Sequence, residues 1–153
     1  MSQNKSRYNG LILISGVDAP GVTQALFNAL QEFSVEVLDI EQVVIRGRLI
    51  LTTLISLDPA HASAIEKDLF AAIAPLGLDL ALDFTEENSK ESSSSNLHLV
   101  ALSQELRPSG IAALAAKISD QGGNIDRIRR TASYPLTAIE FEITLNLSES
   151  TLK

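Results

Sequence analysis

An apolar run followed by a helical pattern predicts the first elements of the chain. Residues 11–17, "LILISGV", are typical of a buried strand. The apolar positions that follow recur at intervals of three and four residues, which predicts a helix with one buried face: Val22, Ala25, Leu26, Ala29, Leu30 and Phe33. The stretch "DAPG" at 18–21 is therefore a turn between a strand and a helix.

A hairpin and a second helix come next in the pattern. The β-branched and leucine-rich segments 35–46 and 48–57 meet at Gly47, which predicts two antiparallel strands joined by a tight turn. Asp58 and Pro59 then supply an N-cap and a first helical position. The apolar residues after them again follow a helical spacing, so we expect a second helix with one buried face.

A fourth strand closes this first unit. The second helix is expected to end at Gly77, and in residues 78–84 leucine and phenylalanine alternate with acidic or small side chains. The predicted order is βαββαβ. With an antiparallel sheet and both helices on one face, this order is a ferredoxin-like arrangement of the α+β class.

A polar segment separates this unit from a second copy of the same pattern. Residues 86–96 contain no apolar side chain and are predicted to be a flexible linker. The strand, helix and two strands that follow repeat the first unit, because Gly110 lies 89 residues after Gly21 and Asn124 lies 88 residues after Glu36. The sequence therefore contains two related units.

The second unit is predicted to stop after its third strand. The expected segments are a tail at 1–9, a first domain at 10–85, the linker at 86–96 and an incomplete second domain at 97–153. A sheet that lacks its last strand has a free edge and an uncovered apolar face. We therefore expect that the chain is a fragment of a longer protein or that another chain completes it.

Composition narrows the classes of function. The chain has 45% hydrophobic and 20% charged residues, as ordinary globular proteins do, and no apolar run approaches the roughly 20 residues of a membrane span. Its N-terminus has no signal-type cleavage site and it has no cysteine, so we expect a cytoplasmic protein without membrane association. The net charge of −7 disfavours nucleic-acid binding but not the binding of a small zwitterion.

Two short motifs carry a resemblance to a known family. D-x-P-G-V stands at the first strand-to-helix turn, and G-x-N-I stands at the start of a strand in the second unit. Together with the repeated order, they resemble tandem ACT domains, small modules that bind amino acids and regulate metabolic enzymes. The segments "VEVLDIEQVVIRGRL" and "NIDRIRRTASYPLTAIEFEI" are similar to the N-terminal regulatory half of bacterial phosphoserine phosphatases. This likeness covers about residues 10 to 147.

The resemblance implies regulation rather than catalysis for this chain. The catalytic part of that family is a haloacid-dehalogenase-type domain with a D-x-D-x-T/S motif and magnesium, and this sequence has no such motif. We expect no catalytic residue, no metal site and no cofactor in the chain, since magnesium would belong to a missing catalytic domain. The expected partners are a small amino acid (L-serine, by resemblance), the missing catalytic domain or a partner chain, and a second copy in a homodimer. The implied role is feedback control of serine biosynthesis.

The candidate ligand site centres on the first turn. Pro20 and Gly21 allow close approach of a ligand carboxylate to a helix N-terminus, and Asp18 can either accept the ligand's ammonium or cap the helix. The resemblance places the rest of the site on the second-strand element of a partner domain. The candidate ligand-binding residues are Asp18, Ala19, Pro20, Gly21, Val22, Asn124, Ile125, Gly110 and Glu36.

One composite site is expected rather than two. The second turn has Leu106 where the first has Asp18, and Glu36 stands where the second unit has Asn124. We therefore expect residues 18–22 to face Asn124 and its neighbour, with Gly110 marking a weaker or purely structural turn. The alternative function is a stand-alone tandem-ACT regulator resembling the glycine-cleavage repressor type; an ACT segment of a formyltetrahydrofolate deformylase is a third hypothesis.

Overall fold

The chain folds as two compact units, residues 1–89 and 90–153, and the computed structural model describes residues 6–87 and 94–146. The elements of the first unit are β1 (Tyr8–Val17), α1 (Val22–Leu30), β2 (Glu36–Ile45), β3 (Arg48–Leu57), a 3₁₀ turn (Pro59–His61), α2 (Ala62–Ile73), a second 3₁₀ turn (Ala74–Leu76) and β4 (Asp79–Glu86). Those of the second unit are β5 (Ser94–Ser103), α3 (Pro108–Asp120), β6 (Gly123–Ala132) and β7 (Thr137–Asn146).

The first unit is a four-stranded antiparallel sheet with the order β2-β3-β1-β4. Its core lies between the sheet and helices α1 and α2, because alternate residues of the central strands and one face of each helix are apolar. The fully buried members of this core are Ile12, Ile14, Leu26, Leu30, Leu49, Leu51, Ile55, Leu57, Ile65, Leu69 and Ile73. The predicted βαββαβ order is confirmed for this unit.

The second unit is a three-stranded antiparallel sheet with the order β5-β7-β6. The central strand β7 supplies the buried residues Ile139, Phe141 and Ile143, and side chains of α3, among them Ile118, pack against them. The predicted α+β class with two antiparallel sheets is confirmed. Residues 147–153, which complete the predicted second domain, lie outside the described residues.

Several element ends differ from the sequence prediction for local physical reasons. Helix α1 ends at Leu30, although the apolar pattern extends to Phe33, which packs against the core from the loop after the helix. The turn between β2 and β3 consists of Arg46 and Gly47, with φ values of 47° and 76°. Two positive φ values in a two-residue turn match the twist of the flanking strands, so β2 ends one residue earlier than predicted.

The strands beside the predicted linker are longer than the apolar pattern indicated. Strand β4 extends to Glu86 and β5 begins at Ser94, so polar residues at both ends of the 86–96 segment are in strands. Backbone pairing with a neighbouring strand does not require apolar side chains, which is why the pattern missed these ends. None of the helices in the described residues is long and apolar enough to span a membrane.

Candidate functional site

The turn between β1 and α1 is fixed by its backbone. The Asp18 N–H donates to the Gly47 carbonyl at 2.9 Å, which ties the turn to the tip of the β2–β3 hairpin. Gly21 has a φ of 94° and is the N-cap of α1. A Cβ at Gly21 would meet no atom within 4 Å, so glycine is favoured here by backbone conformation and not by packing.

The N-terminus of α1 is open. In an α-helix the first N–H groups have no partner within the helix, and here these are the amides of Val22, Thr23 and Gln24. Within the described ranges no side chain caps this helix, and its N-cap is a glycine. The sequence left open whether Asp18 caps α1, and the capping alternative is wrong. The free N–H groups and the helix dipole make this end suited to a carboxylate.

A cavity of about 390 Å³ lies at this turn. Its lining includes all five predicted residues of the first turn and four that were not predicted: Asp18, Ala19, Pro20, Gly21, Val22, Thr23, Gln24, Gln42 and Leu49. The Val22 side chain is buried in the core, so its backbone N–H is the group available to a ligand. The cavity therefore combines free amide donors with one carboxylate.

Thr23 and Gln42 form a wall of the cavity that sequence reasoning missed. The Thr23 hydroxyl donates to Gln42 Oε1 at 2.6 Å, which joins α1 to β2. Gln42 pairs with the buried Leu51, so it lies in a row of the sheet that faces the helices. A polar glutamine in an otherwise apolar row could have indicated a functional position. The row is known, however, only once the strand register is known.

Glu36 is far from the turn within the first unit. It pairs with Ser56 near the end of β3, whereas Val17, which precedes the turn, pairs with Arg48 at the start of β3. Eight residues of a strand separate these positions, a distance of roughly 27 Å. The first unit therefore does not bring its own turn and its own second-strand element together.

A similar separation, of seven residues, holds within the second unit. Asn124 pairs with Thr144 near the end of β7, while Ser103, which precedes the second turn, pairs with Thr137 at the start of β7. Asn124 is exposed, and its Nδ2 donates to Asp126 Oδ1 at 3.0 Å. Ile125 packs against the core of this unit, so its backbone rather than its side chain is available to a ligand.

The second turn also borders a cavity, of about 690 Å³, but its chemistry differs. The Arg107 guanidinium donates to Glu105 Oε2 at 2.7 and 3.1 Å, so the charged groups at this turn are already paired. Leu106 packs against the core, which anchors the turn where the first unit has a free carboxylate. Gly110 lies inside α3 without a positive φ, and a Cβ there would meet no atom within 4 Å.

Two of the three arginines of β6 contact carboxylates of their own sheet, and the third, Arg130, donates to the Thr137 hydroxyl at 3.2 Å. Arg127 contacts Glu142 at 3.5 Å and Arg129 contacts Glu140 at 3.2 Å. His98 lies 3.5 Å from Glu140, and ligand atoms of His98 and the two glutamates lie within 4.8 Å of one another. Two guanidinium groups on the same carboxylates oppose the binding of a cation, so this cluster supports no metal site.

Two family models match the chain. One ACT-domain model matches residues 11–83 and a second ACT-domain model matches residues 95–153. The chain belongs to the ACT-domain family. It is 39% identical over 137 residues to the phosphoserine phosphatase SerB2 of Mycobacterium tuberculosis and 39% identical over 139 residues to a phosphoserine phosphatase of Streptomyces coelicolor. Each match covers 88% of this chain but only 34% and 33% of those proteins, so the chain spans about a third of their length.

Solved structures share the tandem ACT fold. An unknown protein from Galdieria sulphuraria has a TM-score of 0.73 at 16% identity. The match covers 92% of this chain and 83% of the Galdieria protein. A proposed glycine cleavage system transcriptional repressor has a TM-score of 0.71 at 12% identity. This match covers 92% of this chain and 81% of the repressor chain. At such identities the likeness establishes the fold alone.

Proposed function

We propose that this chain is the amino-acid-binding regulatory region of a phosphoserine phosphatase and that L-serine is its ligand. The 39% identity to two phosphoserine phosphatases over 88% of the chain supports the enzyme class. The observation that most supports ligand binding is the uncapped N-terminus of α1. Together with Asp18, it lines a cavity of about 390 Å³.

A zwitterionic amino acid matches the groups of this cavity. Its carboxylate accepts hydrogen bonds from the amides at the start of α1, and its ammonium donates to the Asp18 carboxylate. The negative charge of the protein does not repel a ligand whose own charges cancel. A small amino acid such as L-serine is of a size that the cavity accommodates.

The second wall of the site is proposed to come from the β6 element of another ACT domain. Residues 18–22 and the pair Asn124 and Ile125 then form one composite site per chain. The large distance between each turn and the second-strand element of its own unit supports a site that needs two domains. The second turn has Leu106 in place of Asp18 and so offers no carboxylate to a ligand ammonium at that position, which supports one site instead of two.

Regulation requires that L-serine bind two arrangements of the complete enzyme with different affinity. The test is the phosphatase activity of the complete natural enzyme at increasing L-serine, with D-serine as the matched control. The expected result is a saturable change with L-serine and a much weaker response to D-serine. Activity that is independent of L-serine would refute the feedback role.

Self-association belongs to the same proposal. Strand β2 lies at an edge of its sheet, all ten of its residues are exposed, and they include Val37, Ile40 and Val44. A long edge strand with exposed apolar side chains favours pairing with a strand of another chain. A native mass of twice 16.4 kDa is the expected result, and a monomer at micromolar concentration would contradict it.

A second candidate is a stand-alone tandem-ACT regulator that acts through protein contacts. The shared fold covers 92% of this chain and 81% of the proposed transcriptional repressor, so a chain can consist mainly of two such units, which motivates this candidate. The denatured mass of the natural gene product, detected with an antibody against this chain, separates the two. A mass far above 16.4 kDa supports the enzyme part, and a mass of 16.4 kDa supports the stand-alone regulator.

A further inference from the structure

Strand β6 contains a bulge near its start. Ile125 pairs with Ile143 and Arg127 pairs with Glu142, so Asp126 is an extra residue between two ladder positions. Bulges occur frequently beside functional sites, where they redirect a side chain. This bulge lies two residues from Asn124, the candidate ligand residue of the second unit.

The Asp126 carboxylate accepts hydrogen bonds from two neighbouring side chains. Its Oδ1 accepts from Asn124 Nδ2 at 3.0 Å, and its Oδ2 accepts from the Thr144 hydroxyl. Thr144 is the cross-strand partner of Asn124, so the three side chains form one hydrogen-bonded group on a single face of the sheet. We call it the Asn124–Asp126–Thr144 group.

This arrangement fixes the direction of the Asn124 amide. A carboxylate only accepts hydrogen bonds, so it must face the NH₂ end of Asn124. The carbonyl oxygen of Asn124 is then turned away from Asp126, and the one hydroxyl hydrogen of Thr144 is also used. The group therefore presents acceptor oxygens and a negative charge, which favour a cationic donor and disfavour an anion.

The first unit lacks this group although it has the same bulge. Its register shifts between Val37 and Asp39, so the extra residue is Leu38, 88 positions before Asp126. Ser56 corresponds to Thr144 at the same offset. It is buried, and its hydroxyl oxygen accepts a hydrogen bond from Arg7 Nε at 2.7 Å. The backbone feature is thus shared by both units, whereas only the second has an acid at the bulge.

We propose that Asp126 is a positioning and specificity-determining residue of the amino-acid site. It holds Asn124 with the carbonyl oxygen available to the ligand, and its charge selects ligands that carry a primary ammonium over hydroxy acids of the same size. This inference rests on the proposed function. It predicts that L-serine binds more tightly than glycerate, in which a hydroxyl replaces the ammonium.

The test is calorimetric titration of the whole chain with L-serine and with glycerate. The Asp126→Asn variant keeps the size of the side chain but can donate to Asn124, which lets the Asn124 amide reverse. We expect its L-serine affinity to fall at least about tenfold while its glycerate affinity does not fall. The ratio of the glycerate Kd to the L-serine Kd therefore decreases at least about tenfold. Asp120→Asn, the same charge change on the exposed end of α3, is expected to leave this ratio unchanged.

Thr144→Val provides a second variant that retains the charge of Asp126 but removes one of its donors. A several-fold loss of L-serine affinity is expected for it. An unchanged ratio in Asp126→Asn, with normal L-serine binding by the unmodified chain, overturns this inference alone. A failure of the unmodified chain to bind L-serine refutes the proposed ligand and this inference with it.

Discussion

Replacement of Gly21 by alanine tests the helix N-terminus as a carboxylate site. Gly21 has a φ of 94°, and an L-residue in left-handed backbone is disfavoured by about 1–2 kcal/mol. A Cβ there would meet no atom within 4 Å, so the penalty comes from the backbone alone. The free energy of unfolding is expected to fall by about that amount, and Tm by roughly 4–8 °C per kcal/mol.

The effect on ligand binding is separate from this loss of stability. Alanine relieves its strain by rotating φ toward negative values, and this rotation redirects the amides at the start of α1. We expect the Kd for L-serine to rise at least about tenfold, which corresponds to about 1.4 kcal/mol. Calorimetric titration measures the Kd, and chemical denaturation measures stability.

Gly77→Ala is the matched control in the same unit. Gly77 has a φ of 70°, and a Cβ there would also meet no atom within 4 Å. It follows the 3₁₀ turn after α2 and does not line the cavity. Its stability loss is expected to be similar, with an unchanged Kd. If both variants shift the Kd equally, or neither shifts it, the amides of α1 do not bind the ligand carboxylate.

Three further predictions concern packing and polar contacts. Leu26→Ala removes a fully buried side chain and is expected to lower the free energy of unfolding by about 2–5 kcal/mol in chemical denaturation, whereas a loss under 1 kcal/mol would contradict the described core. Thr23→Val removes the hydrogen bond to Gln42 and is expected to lower stability by about 0.5–1.5 kcal/mol in the same assay; no change would show that the bond contributes nothing. Glu140→Gln weakens the pair with Arg129 and is expected to lower stability by less than about 1 kcal/mol, a difference that shrinks in molar salt; a salt-independent loss would count against an ion pair.

Periodicity was sufficient to predict the elements that build the core. The helix face that includes Leu26 and the alternation of Ile139, Phe141 and Ile143 in β7 identify buried positions without any tertiary information. Residues 18–22 could be located because a strand, a Pro-Gly pair and a helix adjoin one another in the sequence.

Features that depend on strand register could not be predicted. Gln42 reaches Thr23 only because β2 pairs with β3 in one particular register, which the Arg46–Gly47 turn sets. The role of Asp126 follows from a bulge that apolar alternation does not reveal. Cross-strand neighbours lie far apart in sequence, so single-sequence patterns carry little information about them.

The most direct test of the composite amino-acid site is an NMR titration of the isotope-labelled chain with L-serine. The backbone amides of Gly21 and Val22 are expected to shift together with those of Asn124 and Ile125, along one saturation curve with one ligand per chain. Shifts at only one of these two elements, two independent curves, or no shift at millimolar L-serine would contradict the composite site.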